Sequence, residues 1–167
     1  RENEILIFDE PTAVLTPQEI EELMQIMRTA TAGTLNQRNA MEVSFLRLAA
    51  YFPELRETGD LDLAKSKVRT MLADTVMYDD GSYKEATSGY MMGVLDELVE
   101  ALEILQSIEG GVSEDMLEGA RRLAVYYGNL MLPDGRMVAY GDGGRVNGRA
   151  ELRSVADFLD DPVIDFL

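Results

Sequence analysis

Histidine and cysteine are both absent from this chain. Without histidine, the usual general base near neutral pH and the commonest metal ligand are missing. Without cysteine, no disulfide and no thiolate metal site can form, an absence that is neutral as to compartment. Basic residues are scarce: 15 Lys and Arg stand against 31 Asp and Glu, a net charge of −16. A surface that acidic repels nucleic acid and anionic membrane, so neither is an expected partner. It also opposes a heparin-like polyanion unless a local basic cleft compensates. No apolar run approaches the about 18 residues of a membrane span, so no insertion into a bilayer is expected. The N-terminus lacks the basic, apolar and small-residue order of a signal peptide; if that start is native, the protein is expected in the cytoplasm.

What is present is ordinary globular material. The chain has 167 residues, of which 46% are hydrophobic and 28% charged, enough for a domain with a real core. Glu4-Ile5-Leu6-Ile7-Phe8 reads as a short buried strand with Asp9 and Glu10 at its C-terminal end. Thr16-Pro17-Gln18-Glu19 then starts a helix, with Thr16 as N-cap, Pro17 at the first helical position and Glu19 completing a capping box. Thr29-Ala30-Thr31-Ala32-Gly33-Thr34 is small and polar and reads as a junction. It divides the chain into expected units of residues 1–30 and 31–167.

Beyond the junction the periodicity is helical almost throughout. Helices are predicted over residues 41–52, ending at Pro53, and over residues 61–77. Another is predicted over residues 91–108, with Met91, Val94, Leu95, Leu98, Leu102 and Leu105 as its stripe and Gly110-Gly111 as its stop. A fourth, capped by Ser113, runs to about Leu132, and a last one covers residues 151–159. Most of the ten methionines fall at core positions of these helices. The segments Tyr78-Asp79-Asp80-Gly81-Ser82 and Leu132-Pro133-Asp134-Gly135-Arg136 form a faint internal repeat, as if helical hairpins closed by Asp-Gly turns stacked side by side. The glycines between Gly141 and Gly148 read as turns, with too few acids nearby to hold calcium.

Two constellations carry chemistry. An apolar strand ending in Asp-Glu suits a magnesium-bound nucleotide, the first acid on the metal and the second on the attacking water. The run Ile5-Leu6-Ile7-Phe8-Asp9-Glu10-Pro11-Thr12-Ala13-Val14-Leu15-Thr16-Pro17 resembles the Walker B and D-loop stretch of ABC-transporter ATPases of the sugar or nucleoside importer type, over residues 3–29. The resemblance implies Asp9 as the magnesium-side acid, Glu10 as the catalytic base and Mg-ATP as ligand. A phosphate-cradling loop of the form G-x-x-x-x-G-K-[ST] is absent from the chain, as is the family's signature sequence.

The second constellation is Asp80-Gly81-Ser82-Tyr83-Lys84-Glu85-Ala86-Thr87-Ser88-Gly89-Tyr90, with Asn36 upstream and Pro133-Asp134-Gly135 to Gly141-Asp142 downstream. This order resembles the helical domain of heparinase II/III-like and alginate-lyase-like proteins, over residues 35–160. The resemblance implies a mostly α fold, a partial α/α toroid of stacked hairpins preceded by the short strand-helix unit. It also implies β-elimination on a uronic-acid polysaccharide, in a family often periplasmic or secreted. Asn36 would neutralise the substrate carboxylate, Tyr90 would transfer the proton, and Glu85 would orient the loop or hold a structural hydrogen bond. Gln37 and Met91 stand where that family commonly has histidine. The function expected is therefore a lyase-like carbohydrate-active fragment without a cofactor, taking an acidic or neutral polysaccharide and inactive in isolation. The alternatives are a fragment of an importer ATP-binding subunit and a non-catalytic helical binding module.

Overall fold

The computed structural model describes residues 16–29, 35–71, 78–85, 87–141, 146–162 and 164. Among these, seven helices are present: α1 (Pro17–Thr29), α2 (Leu35–Tyr51), α3 (Pro53–Glu57), α4 (Asp60–Thr70), α5 (Ser88–Glu109), α6 (Glu114–Asn129) and α7 (Gly148–Leu159). The chain is mostly helical. It divides into two compact units, Arg1–Ala30 and Thr31–Leu167. The predicted strand over residues 4–8 lies outside the described residues, as do residues 30–34 of the junction.

In the first unit, α1 begins with a reciprocal cap. The Thr16 N–H donates to Glu19 Oε2 at 2.7 Å, and the Glu19 N–H donates to Thr16 Oγ1 at 3.3 Å. Two of the backbone donors that a helix start leaves without partners are thereby satisfied. Met24 and Met27 are the buried side chains of this helix.

In the second unit, α5 packs against α2, α6 and α7. Its predicted stripe is its buried face: Met91, Val94, Leu95, Leu98, Leu102 and Leu105 are all buried. Each large side chain removed from water in this way is worth about 1.5–3 kcal/mol relative to exposure. The helix starts three residues earlier than its stripe, because the Thr87 hydroxyl accepts the Tyr90 N–H at 3.2 Å. It stops at Gly110, whose φ of 73° only glycine adopts freely. In the same way α7 starts at Gly148 rather than residue 151, because Asn147 Oδ1 accepts the Ala150 N–H at 3.3 Å. Ser113 occupies the N-cap position of α6 with extended backbone, and the helix ends at Asn129, short of Leu132.

The largest departure from the periodicity is α2. It begins at Leu35, six residues before the predicted start, and Asn36 sits in its first turn. Its other end follows local rules. Phe52 is extended at φ −104° and ψ 106°, as the residue before a proline prefers, and Pro53 then opens α3. Helix α4 ends at Thr70 with Met71 as its cap; the predicted continuation over residues 72–77 lies outside the described residues. Helices α2 and α5 run side by side in the same direction. Glu85, just before α5, meets the start of α2 at Asn36, and farther along Arg47 Nε donates to Glu100 Oε1 at 2.6 Å.

Candidate functional site

Asp9 and Glu10 lie outside the described residues. Among the described residues, no group of three or more acidic side chains converges to hold a metal ion.

Asn36 and Glu85 meet although 49 residues separate them. The backbone N–H of Asn36 donates to Glu85 Oε1 at 3.2 Å. A carboxylate at a helix start satisfies an orphan N–H and sits at the positive end of the helix dipole. The Asn36 side-chain oxygen accepts the neighbouring Gln37 N–H at 2.8 Å. Tyr90, third residue of α5, presents a ring that is 39% exposed. Its position is held through its backbone by the Thr87 cap. The two helix starts thus bring the loop 78–85, Asn36 and Tyr90 to the same end of the α2–α5 pair.

Two groups near this end escape a reading of motifs. Tyr83 is 1% exposed, and burial pushes its hydroxyl above its ordinary value, with the nearby Glu85 and Glu97 carboxylates adding to the shift. A hydroxyl so perturbed is no base near neutrality. Glu97 follows Tyr90 by seven positions on α5 and shares its face, roughly 10 Å along the axis. Burial, then the neighbouring Glu100 and Asp96 charges, pushes the Glu97 carboxyl up to about 7. Its Oε2 is buried without a hydrogen-bond partner. Glu97 is the group here whose proton exchange falls near neutral pH. Nothing in the local sequence marks it, because Asp96-Glu97 looks like the solvent side of an amphipathic helix. The signal would have been its i+7 relation to Tyr90.

The two Asp-Gly segments adopt one geometry. In the first, the Tyr78 N–H donates to Ser82 O at 2.8 Å and the Gly81 N–H to Tyr78 O at 2.9 Å. In the second, the Leu132 N–H donates to Arg136 O and the Gly135 N–H to Leu132 O, both at 2.8 Å. Asp80 Oδ1 accepts the Ser82 N–H at 2.9 Å, and Asp134 Oδ1 accepts the Arg136 N–H at 3.1 Å. Gly81 and Gly135 have φ of 87° and 83°. Two residues beyond each glycine a large side chain is buried, Tyr83 in one and Met137 in the other. The turns differ in what covers them. Arg122 Nη2 of α6 donates to Tyr78 O at 3.0 Å and to Asp79 O at 2.6 Å. The second turn has no arginine in that role among the described residues. Its own Arg136 folds back onto Asp134, Nε to Oδ2 at 2.7 Å.

No helix among the described residues is long and apolar enough to cross a membrane. No family model matches the chain, and no solved structure matches it. Two curated proteins do. The guanosine import ATP-binding protein NupO of Bacillus subtilis is 84% identical over 25 residues, which are 15% of this chain and 5% of that protein. The nucleoside import ATP-binding protein NupA of Lactococcus lactis shares the same identity over the same length and coverage. The match thus spans about a twentieth of the length of these relatives. It supports the importer-type ATP-binding part of the sequence reading and leaves the polysaccharide-lyase resemblance without a relative among these comparisons.

Proposed function

We propose that residues 3–29 are the Walker B and D-loop segment of a nucleoside-importer type of ATP-binding protein. The observation that carries this reading is the identity of 84% over 25 residues with two such proteins. In it, Asp9 is the acid on the magnesium side of the nucleotide and Glu10 orients and deprotonates the attacking water. The chain contains no phosphate-cradling loop, so these residues act on nucleotide only where such a loop is supplied from outside them. The test is a graft. Residues 3–29 replace their counterpart in the Bacillus subtilis guanosine import ATP-binding protein, and ATP hydrolysis is followed by phosphate release. The graft is expected to keep its rate within a small factor. The same graft with Glu10→Gln should lose about 100-fold or more, the usual scale for removing a general base. A folded graft that binds ATP and does not hydrolyse it overturns the proposal.

A second reading concerns residues 31–167 and rests on the hydrogen bond between Asn36 and Glu85. The stacked hairpins form an arc of an α/α toroid, and the end of α2 and α5 that carries Asn36, Glu85 and Tyr90 faces a neutral or acidic polysaccharide. Glu97 is the proton acceptor of that face, in place of the histidines that lyases of this kind commonly carry. The unit binds such a chain and turns it over at a rate near background.

A further inference from the structure

Asn147 and Gly148 open helix α7, and no reading above uses their chemistry. Each is fixed by a different demand. Asn147 is the N-cap, its Oδ1 accepting the Ala150 N–H at 3.3 Å. Gly148 is buried at the first helical position, where a Cβ would collide with Sδ and Cγ of Met137. The fold therefore sets a carboxamide beside a glycine whose N–H has no acceptor within the helix. Asn147 is the one asparagine of the sequence that glycine follows; Asn3, Asn36, Asn39 and Asn129 each precede a residue with a side chain. Asn147 is also exposed, so water reaches its carboxamide.

We propose that Asn147 is a site of spontaneous deamidation, and that the first turn of α7 is the gate that slows it. The Gly148 backbone nitrogen attacks Asn147 Cγ. A bond forms between them, the Cγ–Nδ2 bond breaks, and Nδ2 leaves as ammonia with the proton that Gly148 gives up. Water then opens the cyclic imide. Attack at Cγ leaves an aspartyl residue; attack at the backbone carbonyl leaves an isoaspartyl residue, whose chain runs through Cγ. Glycine favours the first step because no side chain hinders its nitrogen and its backbone turns freely. Ring closure needs the Gly148 nitrogen on the same side of the Cα–C bond as Asn147 Cβ. In the folded chain the ψ of Asn147 is 87°, which holds that nitrogen nearly opposite. The surroundings fix this angle: Asn147 bridges to Arg136, the Met137 N–H donates to Val146 O at 3.0 Å, and the Arg149 N–H donates to Gly135 O at 3.3 Å. Rotation to the reactive geometry breaks the cap and lifts Gly148 from Met137. The two products differ in what they restore. An aspartyl carboxylate caps again, at the positive end of the helix dipole. An isoaspartyl residue adds a carbon to the backbone and cannot hold the Ala150 N–H in the same way. The inference rests on neither reading of function.

The experiment incubates the intact chain in mildly alkaline buffer, folded and in urea, and follows each asparagine by peptide mass spectrometry, with isoaspartate scored by fragmentation. In urea Asn147 should convert ahead of the other asparagines, and Gly148→Ala should slow it; the variant's ability to fold has no bearing there. In the folded chain conversion should be slower by about tenfold or more, because only the open fraction reacts. Leu152→Ala, which removes a buried side chain from α7, should raise the folded rate. Amide exchange at Ala150 and Glu151 should stay slow in Asn147→Asp and become fast in the isoaspartyl product. Conversion of the folded chain as fast as in urea, a folded chain that never converts, or faster loss of another asparagine in urea would each overturn the proposal.

Discussion

A Cβ built on Gly81 would stand 2.7 Å from the carbonyl oxygen of Arg122 and 3.1 Å from its carbonyl carbon. The first Asp-Gly turn is therefore pressed against the backbone of α6, and no flexible side-chain end can yield there. At the second turn the same construction on Gly135 meets only the Arg149 side chain, at 3.5 Å.

This contrast separates two substitutions that look alike in sequence. Both glycines have positive φ, which costs an L-residue about 1–2 kcal/mol. Gly135→Ala should lose about that much. Gly81→Ala carries a backbone clash as well, worth about 1–3 kcal/mol more. Urea denaturation of both variants measures the difference. Equal losses would mean that the α6 backbone moves away freely.

Glu97 sets a pH dependence whose sign is fixed by the direction of its shift. Its carboxyl holds a proton up to about 7 in the folded protein, against 4.5 for the group in water. Between these values the native state binds the proton that the unfolded state has released, so stability falls as pH rises from about 4.5 to about 7 and then levels off. The carboxyl is partly exposed, and after allowance for solvent screening the effect is on the order of 1 kcal/mol. Glu97→Gln should be more stable than the parent at pH 8 and nearly equal to it at pH 5. Denaturation curves at the two pH values check this; a parallel shift at both would assign the effect to packing.

The chain by itself should not bind Mg-ATP. In the proposed reading Asp9 and Glu10 would position magnesium and water, but the triphosphate is normally held by the backbone N–H groups and lysine of a phosphate loop, and the chain contains none. Isothermal titration with ATP and magnesium is expected to give only heats of dilution. Saturable micromolar binding that vanishes with Asp9→Asn would show a nucleotide site assembled from other residues.

Uronate elimination is expected near background. The reaction leaves an unsaturated product that absorbs in the ultraviolet, so alginate, heparan and hyaluronan can each be tested directly. No histidine assists Tyr90, and the charge of −16 opposes a polyanion, although salt screens that repulsion beyond about 8 Å. Should a rate be measured, Tyr90→Phe and Glu97→Gln locate it. Loss in both with folding intact assigns proton transfer to this face of α5, and an unchanged rate in both removes the chemistry from it.

The parts of this protein that were legible in its sequence are those whose causes lie within a few residues. The apolar stripe of α5 needed only the 3.6-residue period. The reciprocal cap of Thr16 and Glu19 needed only their spacing of three, and the break between α2 and α3 needed only Pro53 after Phe52. The repeated Asp-Gly turns were visible because each aspartate caps its own turn, Asp80 onto Ser82 and Asp134 onto Arg136. Absences were equally local facts: a chain without histidine or a phosphate loop lacks their chemistry whatever its fold.

Tertiary structure decided everything whose partner is remote in the chain. In the first turn of helix α2 the Asn36 N–H is held by a carboxylate 49 residues away, and no window around residue 35 contains that acceptor. Glu97 holds its proton toward neutrality because packing removes it from water beside other acids, whereas its own neighbours mark it as a surface residue. The two Asp-Gly turns share a hydrogen-bond pattern dictated by their sequence, yet among the described residues only the first has an arginine donating to its first two carbonyls and its glycine pressed against backbone; the second meets the Arg149 side chain instead. Local backbone preferences cost or gain energy within a turn and can be read there. Burial, long-range capping and close approach depend on which distant surface arrives, and only the assembled helices determine that.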